Sequence, residues 1–549
     1  MEGPLPLTVV WLTGLYFSGL KKPFVWLKST EFKFLKMIND AGREIPEKIE
    51  GLGSVRPFRK LTLGRSDQKR NRANIKKPLI TERVPRISKN LEGAISRSGL
   101  KNRDRISFHH HLRLGDSVVE QVLFLLEQMG YRELILCVSS VMGPATAAVL
   151  RAVRGGVIRR IETTGLKSPL SEALQAGEIP EPVIFRSHGG RARAIENGET
   201  PINLAFIAAS EIDREGNMTG TQGINRFGSM GYAIVDAENA FYVIGLTDSI
   251  TSRPLLHISI SACFVDEVVE LISIGSKSQI AGGSIRISRR PVEKLIARRA
   301  VQVLAAAEVI KPDFSYQSGS GGISLLVTAL LKEYMMKNEI VGSFASGGVT
   351  GNLVDLMRDG FFDLLWDVQS FDDKAAVSLG ENPSHREMSA SLYANPENPG
   401  CIAHKLDVMI LSATEIDRDF HVNSITGTNG RILGALGGAP DTAAGASLTI
   451  VVLPSFRGRI PTVNHRVQTV CTPGNTVDVL VSERGIAVNP QREDLLRCLN
   501  DSGLEIFPIK ELVRKVHNLT GEPDQPIAGN RIRGVVEYRD GSILDCIRS

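Results

Sequence analysis

One pattern occurs twice in this chain, an apolar run that ends in an acidic turn. It reads INLAFIAASEIDREGN at residues 202–217 and LDVMILSATEIDRDFH at 406–421, placing Glu211 and Glu415 204 residues apart. Eight mostly apolar residues bounded by turn formers predict a buried strand, and each copy then leads to a glycine in NMTG or VNSITG. At 549 residues the chain exceeds the size at which one hydrophobic core keeps growing. Two tandem units follow.

The surrounding sequence sets the class of those units. In GDSVVEQVLFLLEQMG (115–130), Val118, Val122, Leu125, Leu126 and Met129 fall on one helical face, with Asp116 capping and Gly130 stopping. The helix feeds RELILCVSS (132–140), an apolar, β-prone run. The second half alternates likewise, with a helix over 321–338, a strand over 340–348 and a helix over 349–360. Buried strands follow over 405–413 and 448–454, a strand and turn over 477–490, and a hairpin over 533–547 about Asp540–Gly541. This predicts two tandem open α/β domains over 86–305 and 306–549. Ligands of such sheets bind beyond the carboxyl ends of the strands, here in the inter-domain cleft.

Charge separates residues 1–85 from the rest. Between Arg56 and Arg105 there are sixteen Lys/Arg against four Asp/Glu, leaving 49 basic and 56 acidic residues elsewhere. A basic nucleic-acid face on the body is therefore not expected. The apolar stretch 5–20 is too short and too broken by Gly and Pro to span a membrane, and no positive charge precedes it as in a secretory signal. Residues 1–85 read as a basic appendage whose removal should leave folding intact. Six scattered cysteines without a C-x-x-C argue for a reducing cytoplasm rather than disulfides or zinc.

Glycine-rich turns stand at the predicted strand ends: SHGGR (187–191), QSGSGG (317–322), FASGG (344–348) and ALGGAPD (435–441). Such turns bring backbone N–H groups, and a following helix N-terminus, close to an anion. Neither a phosphate-binding P-loop nor a dinucleotide fingerprint is present. His109, His110 and His111 in FHHHLRLGD would alternate faces on a strand, without the spacing of a metal site, so no metal is expected. His188, between a serine and two glycines, is the better cleft candidate.

The strings SFHHHLRLGD, HGGRARAIENGE, QSGSGGISL, LWDVQSFD, LSATEID, GALGGAPDTA, RGRIPT and CTPGNTVDVLVSERGIAVNP, in this order, resemble the alpha subunit of citrate lyase, a citrate CoA-transferase, from about Leu91 to the C-terminus. The resemblance implies the CoA-transferase type of fold. It also implies exchange of acetyl-thioester for citryl-thioester with release of acetate, in a cytoplasmic oligomer with a citryl lyase beta subunit and an acyl carrier gamma subunit. No tightly bound cofactor is expected. Acetyl-CoA, or the carrier's CoA-derived arm, would be substrate.

That chemistry needs donors for tetrahedral oxyanions, a channel for the arm and cations for citrate. His188, Gly189, Gly190 and Arg191, with Arg457 and Arg459, are the candidate citrate-binding residues, and Arg193 is a further candidate clamp. Gly319, Gly321, Gly322, Gly437 and Gly438 are candidates for the arm, and Gly347 and Gly348 for the catalytic turn. Relatives that work through a glutamyl thioester carry Glu in a G-I-H-T-E-M pattern, where GVTGNL (348–353) places Asn352, so direct transfer is expected. Glu415 is the candidate cleft carboxylate, Asp213 and Asp417 are turn makers, and Glu196 in IENG is a weaker nucleophile candidate.

Overall fold

The computed structural model describes residues 36–60, 84–282, 287–524, 526 and 529–549. The apolar stretch 5–20 and most of the basic run, residues 61–83, lie outside the described residues. Two large, mostly parallel sheets carry the chain.

The first sheet has ten strands. From one edge they are Ile543–Arg548, Ile532–Glu537, Val183–Arg186, Ile158–Thr163, Leu134–Val138, Arg105–Phe108, Leu204–Ala208, Tyr242–Thr247, Glu267–Glu270 and Arg86–Ser88. All neighbours are parallel except the first two, an antiparallel hairpin. The second sheet has eight: His385–Glu387, Phe362–Ser370, Gly342–Val349, Ser315–Ser318, Val408–Ser412, Leu448–Val452, Val479–Ser482 and Gly485–Val488, parallel except for the last pair. Every residue of Leu134–Val138 and Leu448–Val452 is buried, because helices cover both faces of a parallel sheet. Asp116 Oδ1 accepts the N–H groups of Val118 (2.7 Å) and Val119 (3.2 Å), so it caps the helix Val118–Gln128 as its sequence predicts. Among the described residues no helix is long and apolar enough to cross a membrane.

Each sheet reverses its strand order once. The first grows outward from Arg105–Phe108 through Leu134–Val138, Ile158–Thr163 and Val183–Arg186, then returns to place Leu204–Ala208 on the other side. The second repeats this about Ser315–Ser318, with Val408–Ser412 returning beside it. The loops after two diverging strands separate there and leave a crevice.

The doubled acidic turns are the same structure built twice. Glu211–Asp213 pairs antiparallel with Met218–Thr219, and Glu415–Asp417 pairs with Val422–Asn423 in the same register. Asp213 Oδ1 accepts the N–H groups of Glu215 (3.0 Å) and Asn217 (2.9 Å); Asp417 Oδ1 accepts those of Asp419 and His421, both at 3.0 Å. Both aspartates make the turn, as their sequence pattern predicts.

Residues 36–60 and the hairpin Ile532–Arg548 meet at the edge of the first sheet. The hairpin Ile532–Arg548, grouped with the second unit in the sequence division, extends the first sheet by pairing with Val183–Arg186. Arg186 fastens it, donating to both carboxylate oxygens of Glu537 (2.8 and 3.0 Å) and to Glu162 (2.5 Å), all buried. Residues 36–60, counted with the appendage in the sequence, pack on this hairpin. Asn39 Nδ2 donates to the carbonyls of Ile543 and Leu544, Arg43 pairs with Asp545 at 3.1 Å, and the Phe58 ring meets Tyr538 edge-on at 5.0 Å. Removing residues 1–60 is therefore expected to lower the melting temperature by several degrees, since it exposes the hairpin and leaves Asp545 without Arg43. A thermal melt of the shortened chain checks this, and an unchanged midpoint would mean that the segment only rests on the surface.

Candidate active site

Both switch points open into one cavity of about 540 Å³. The first half contributes His110 and Arg113 after Arg105–Phe108, Ser140 after Leu134–Val138, Thr164 and Lys167 after Ile158–Thr163, and His188 after Val183–Arg186. The second half contributes Gln317 to Gly321, Gly348, Gln369, Tyr393, Ser412 and the loop Leu433–Ala439. Two cations and no carboxylate are among the lining residues. Such a wall favours a polyanion.

Arg113 is the most unusual of them. It is buried and sits in the left-handed region at φ 52°, which is uncommon for a side chain larger than glycine. Its guanidinium donates to the carbonyls of Ile280 (3.0 Å), Phe227 (3.4 Å) and Ser370, and no ion pair engages it among the described residues. Burial pulls its pKa down to about 10, so it stays charged at neutral pH. A buried cation held by carbonyls alone can still gain from an anion.

The histidines beside it are neutral. Burial pushes His110 down to about 3 and His188 well below the usual range. Ser139 Oγ lies 2.6 Å from His110 Nδ1, and Gln369 Oε1 lies 3.0 Å from Nε2; with that oxygen accepting, Nε2 carries the proton and the serine hydroxyl donates. His188 packs against Tyr232 with the rings tilted by 32° and their centroids 4.3 Å apart. His109 and His111 stack on each other and lie behind this wall, His109 Nε2 being 3.0 Å from Asp236.

The helix Gly322–Lys337 begins at the cavity, so its N-terminal dipole points toward an anion there. Gly319, Gly321, Gly437 and Gly438 line the cavity and Gly322 opens that helix, so these two glycine turns meet at one opening. Gly347 sits just behind, at a bulge where φ is 104° and an added Cβ would lie 2.7 Å from Gln317 Nε2. Gln317 is itself fixed, donating to Tyr393 OH and accepting from Ser346.

Several candidates stand elsewhere. Arg191 is buried and donates both terminal nitrogens to Asp236, each at 2.7 Å, so its fork is occupied; Arg193 pairs with Glu199 and Glu537. The Gly189 N–H goes to Asp441 Oδ2, which with Ser187 ties the two halves together, and Gly190 donates to Ser187. Glu415 is buried away from the cavity, consumed by Asn423, Asn464 and the N–H of Gln468. Asn352 is exposed in the first turn of Gly351–Arg358 and is not a lining residue. Glu196 accepts from Asn395 at 2.7 Å and also lies outside the lining. Arg457 donates to the carbonyls of Ala413 and Thr414, and Arg459 is exposed. Sequence reasoning missed Arg113, Lys167, Gln369 and Tyr393. Arg113 and Gln369 do lie within two of the strings quoted, FHHHLRLGD and LWDVQSFD.

A family model for the citrate lyase alpha subunit matches residues 85–549. The citrate lyase alpha chain of Klebsiella pneumoniae is 46% identical over 468 residues, covering 85% of this chain and 92% of that protein. The Escherichia coli chain is 43% identical over 463 residues, covering 84% and 90%. Among solved structures, an alpha subunit of citrate lyase from Streptococcus mutans in complex with citrate has TM-score 0.85 and 38% identity, covering 93% of this chain and 99% of that one. A malonate decarboxylase alpha subunit from Acinetobacter baumannii, at 15% identity and TM-score 0.59, covers 79% of this chain and 88% of its own and shares the fold alone.

Proposed function

Since the chain belongs to the citrate lyase alpha subunit family, we propose that it is the transferase of that complex, exchanging the acetyl group of an acetyl-thioester for citrate. The observation that carries this reading is the cationic, carboxylate-free cavity where both sheets reverse order. Its working partners would be a beta subunit that cleaves citryl-thioester and a gamma subunit that carries the thioester arm, assembled in the cytoplasm. The six unpaired cysteines support a reducing compartment.

The wall suits the reaction that membership of the family implies. A citrate carboxylate attacks the acetyl carbonyl, the tetrahedral oxyanion collapses, and a mixed anhydride and a thiolate result. The thiolate then attacks the citryl carbonyl and acetate leaves as a carboxylate. No proton need move in either step, which suits a site whose histidines are held neutral. Arg113 and Lys167 would hold the citrate carboxylates that do not react, and the N-terminus of Gly322–Lys337 with its glycine turn would stabilise the oxyanion. Incubating the protein with labelled citrate and acetyl-thioester tests this: citryl-thioester and acetate should form together. Acetate release that ignores citrate would point instead to a hydrolase of the same fold.

Transfer should also be direct. Neither Glu196, Glu415 nor Asn352 is among the lining residues, and an amide cannot serve as the attacking carboxylate. Acetyl-CoA alone is expected to leave no acylated peptide after hydroxylamine trapping and mass spectrometry, and double-reciprocal plots should intersect. A modified peptide containing Glu196 or Glu415 would sink the ternary-complex route.

A further inference from the structure

Resting on the transferase reading, we propose that the arginines on the second half's rim of the cavity dock an acidic face of the protein that carries the thioester arm. The body outside Arg56–Arg105 has more acidic than basic residues, so a local basic cluster at the mouth stands against its surroundings.

The cluster is placed by main-chain bonds. Ser288 N–H donates to the carbonyl of Gly322, the first residue of the helix that begins at the cavity, which sets Arg289 and Arg290 beside that opening. From the other side, Arg457 donates to the carbonyls of Ala413 and Thr414, directly after Ser412, which lines the cavity. This pins the short hairpin Phe456–Pro461 at the rim and presents Arg459 to solvent. Glu293 joins the two groups, 3.6 Å from Arg290 and within electrostatic reach of Arg457.

Five arginines, Arg484 over the Phe456 ring included, thus stand against two carboxylates, Glu293 and the Glu483 that Ser455 and Arg484 hold beside the hairpin. Val292 and Ile460, 46% and 53% exposed, stand among them. A charged rim with exposed aliphatic residues suits a partner that is steered electrostatically and seated by apolar contact. The substrate is a thioester on a flexible arm, and the arm can enter the cavity only when its carrier rests at the mouth. The patch is where that carrier would rest.

The experiment compares two donors of one acetyl group: the acetylated carrier subunit of the complex, and acetyl-CoA, which offers the arm without the protein. For the double variant R290E/R459E, kcat/KM with acetylated carrier should fall roughly tenfold or more at low ionic strength, and its salt dependence should flatten. With acetyl-CoA it should stay within about twofold, because neither side chain lines the cavity. The variant R290K/R459K keeps the charge and should match the parent with both donors. Equal losses with both donors, or none with the carrier, would overturn the docking surface. Failure of the transferase reading would look different, as the parent protein itself would transfer from neither donor.

Discussion

Replacing Arg113 with methionine is expected to lower kcat/KM for citrate by about one to two powers of ten while changing the KM for the acetyl donor far less. One charge-assisted bond to a carboxylate, from the Nη1 hydrogen that Ile280 does not take, is worth about 1.5–3 kcal/mol, and no other lining cation is buried to take over the role. The present donors of Arg113 go to the carbonyls of Ile280, Phe227 and Ser370, buried residues outside the cavity lining, and water entering the space the guanidinium leaves can satisfy them. Folding should therefore survive, which a thermal melt verifies. Arg113→Lys should recover part of the activity, because it restores the charge but not the planar fork. If both substrates lose equally, Arg113 is holding the wall rather than citrate.

Deleting the last twenty-one residues, 529–549, is expected to yield no stably folded protein. Val535, Val536, Ile543 and Leu544 are all buried in the hairpin, and burial of four aliphatic side chains contributes about 6–12 kcal/mol. A whole domain is stable by only about 5–15 kcal/mol. The deletion also strips Glu537 from Arg186 and leaves a buried guanidinium with Glu162 alone on that side. The milder variant Glu537→Ala isolates this second effect and should cost about 3–5 kcal/mol, read from denaturant unfolding. A soluble, cooperatively melting truncation would show that the first sheet closes without its edge.

Local patterns carried the α/β alternation, the acidic turns and the glycine clusters, because periodicity and turn chemistry are short-range. The hairpin about Asp540–Gly541 was legible for the same reason, whereas its membership of the first sheet rests on contacts with Val183–Arg186 some 350 residues earlier. Charged residues were the hardest to place. Arg191 and Arg113 are alike in sequence, but a carboxylate from 45 residues away occupies the first and carbonyls from up to 257 residues away hold the second. Glu415 looked available only because Asn464 and Gln468, which satisfy it, lie about fifty residues downstream.

The same hairpin sets a clock on synthesis. Arg186 is made 351 residues before Glu537, so at ~5–20 residues per second it waits roughly 20–70 s for its partner. From the completion of Glu267–Glu270 until then, the strand Val183–Arg186 is an open edge on an otherwise complete parallel sheet, a template on which another nascent chain could pair. Arrival of the hairpin Ile532–Arg548, rather than completion of the first half, is the event that seals it.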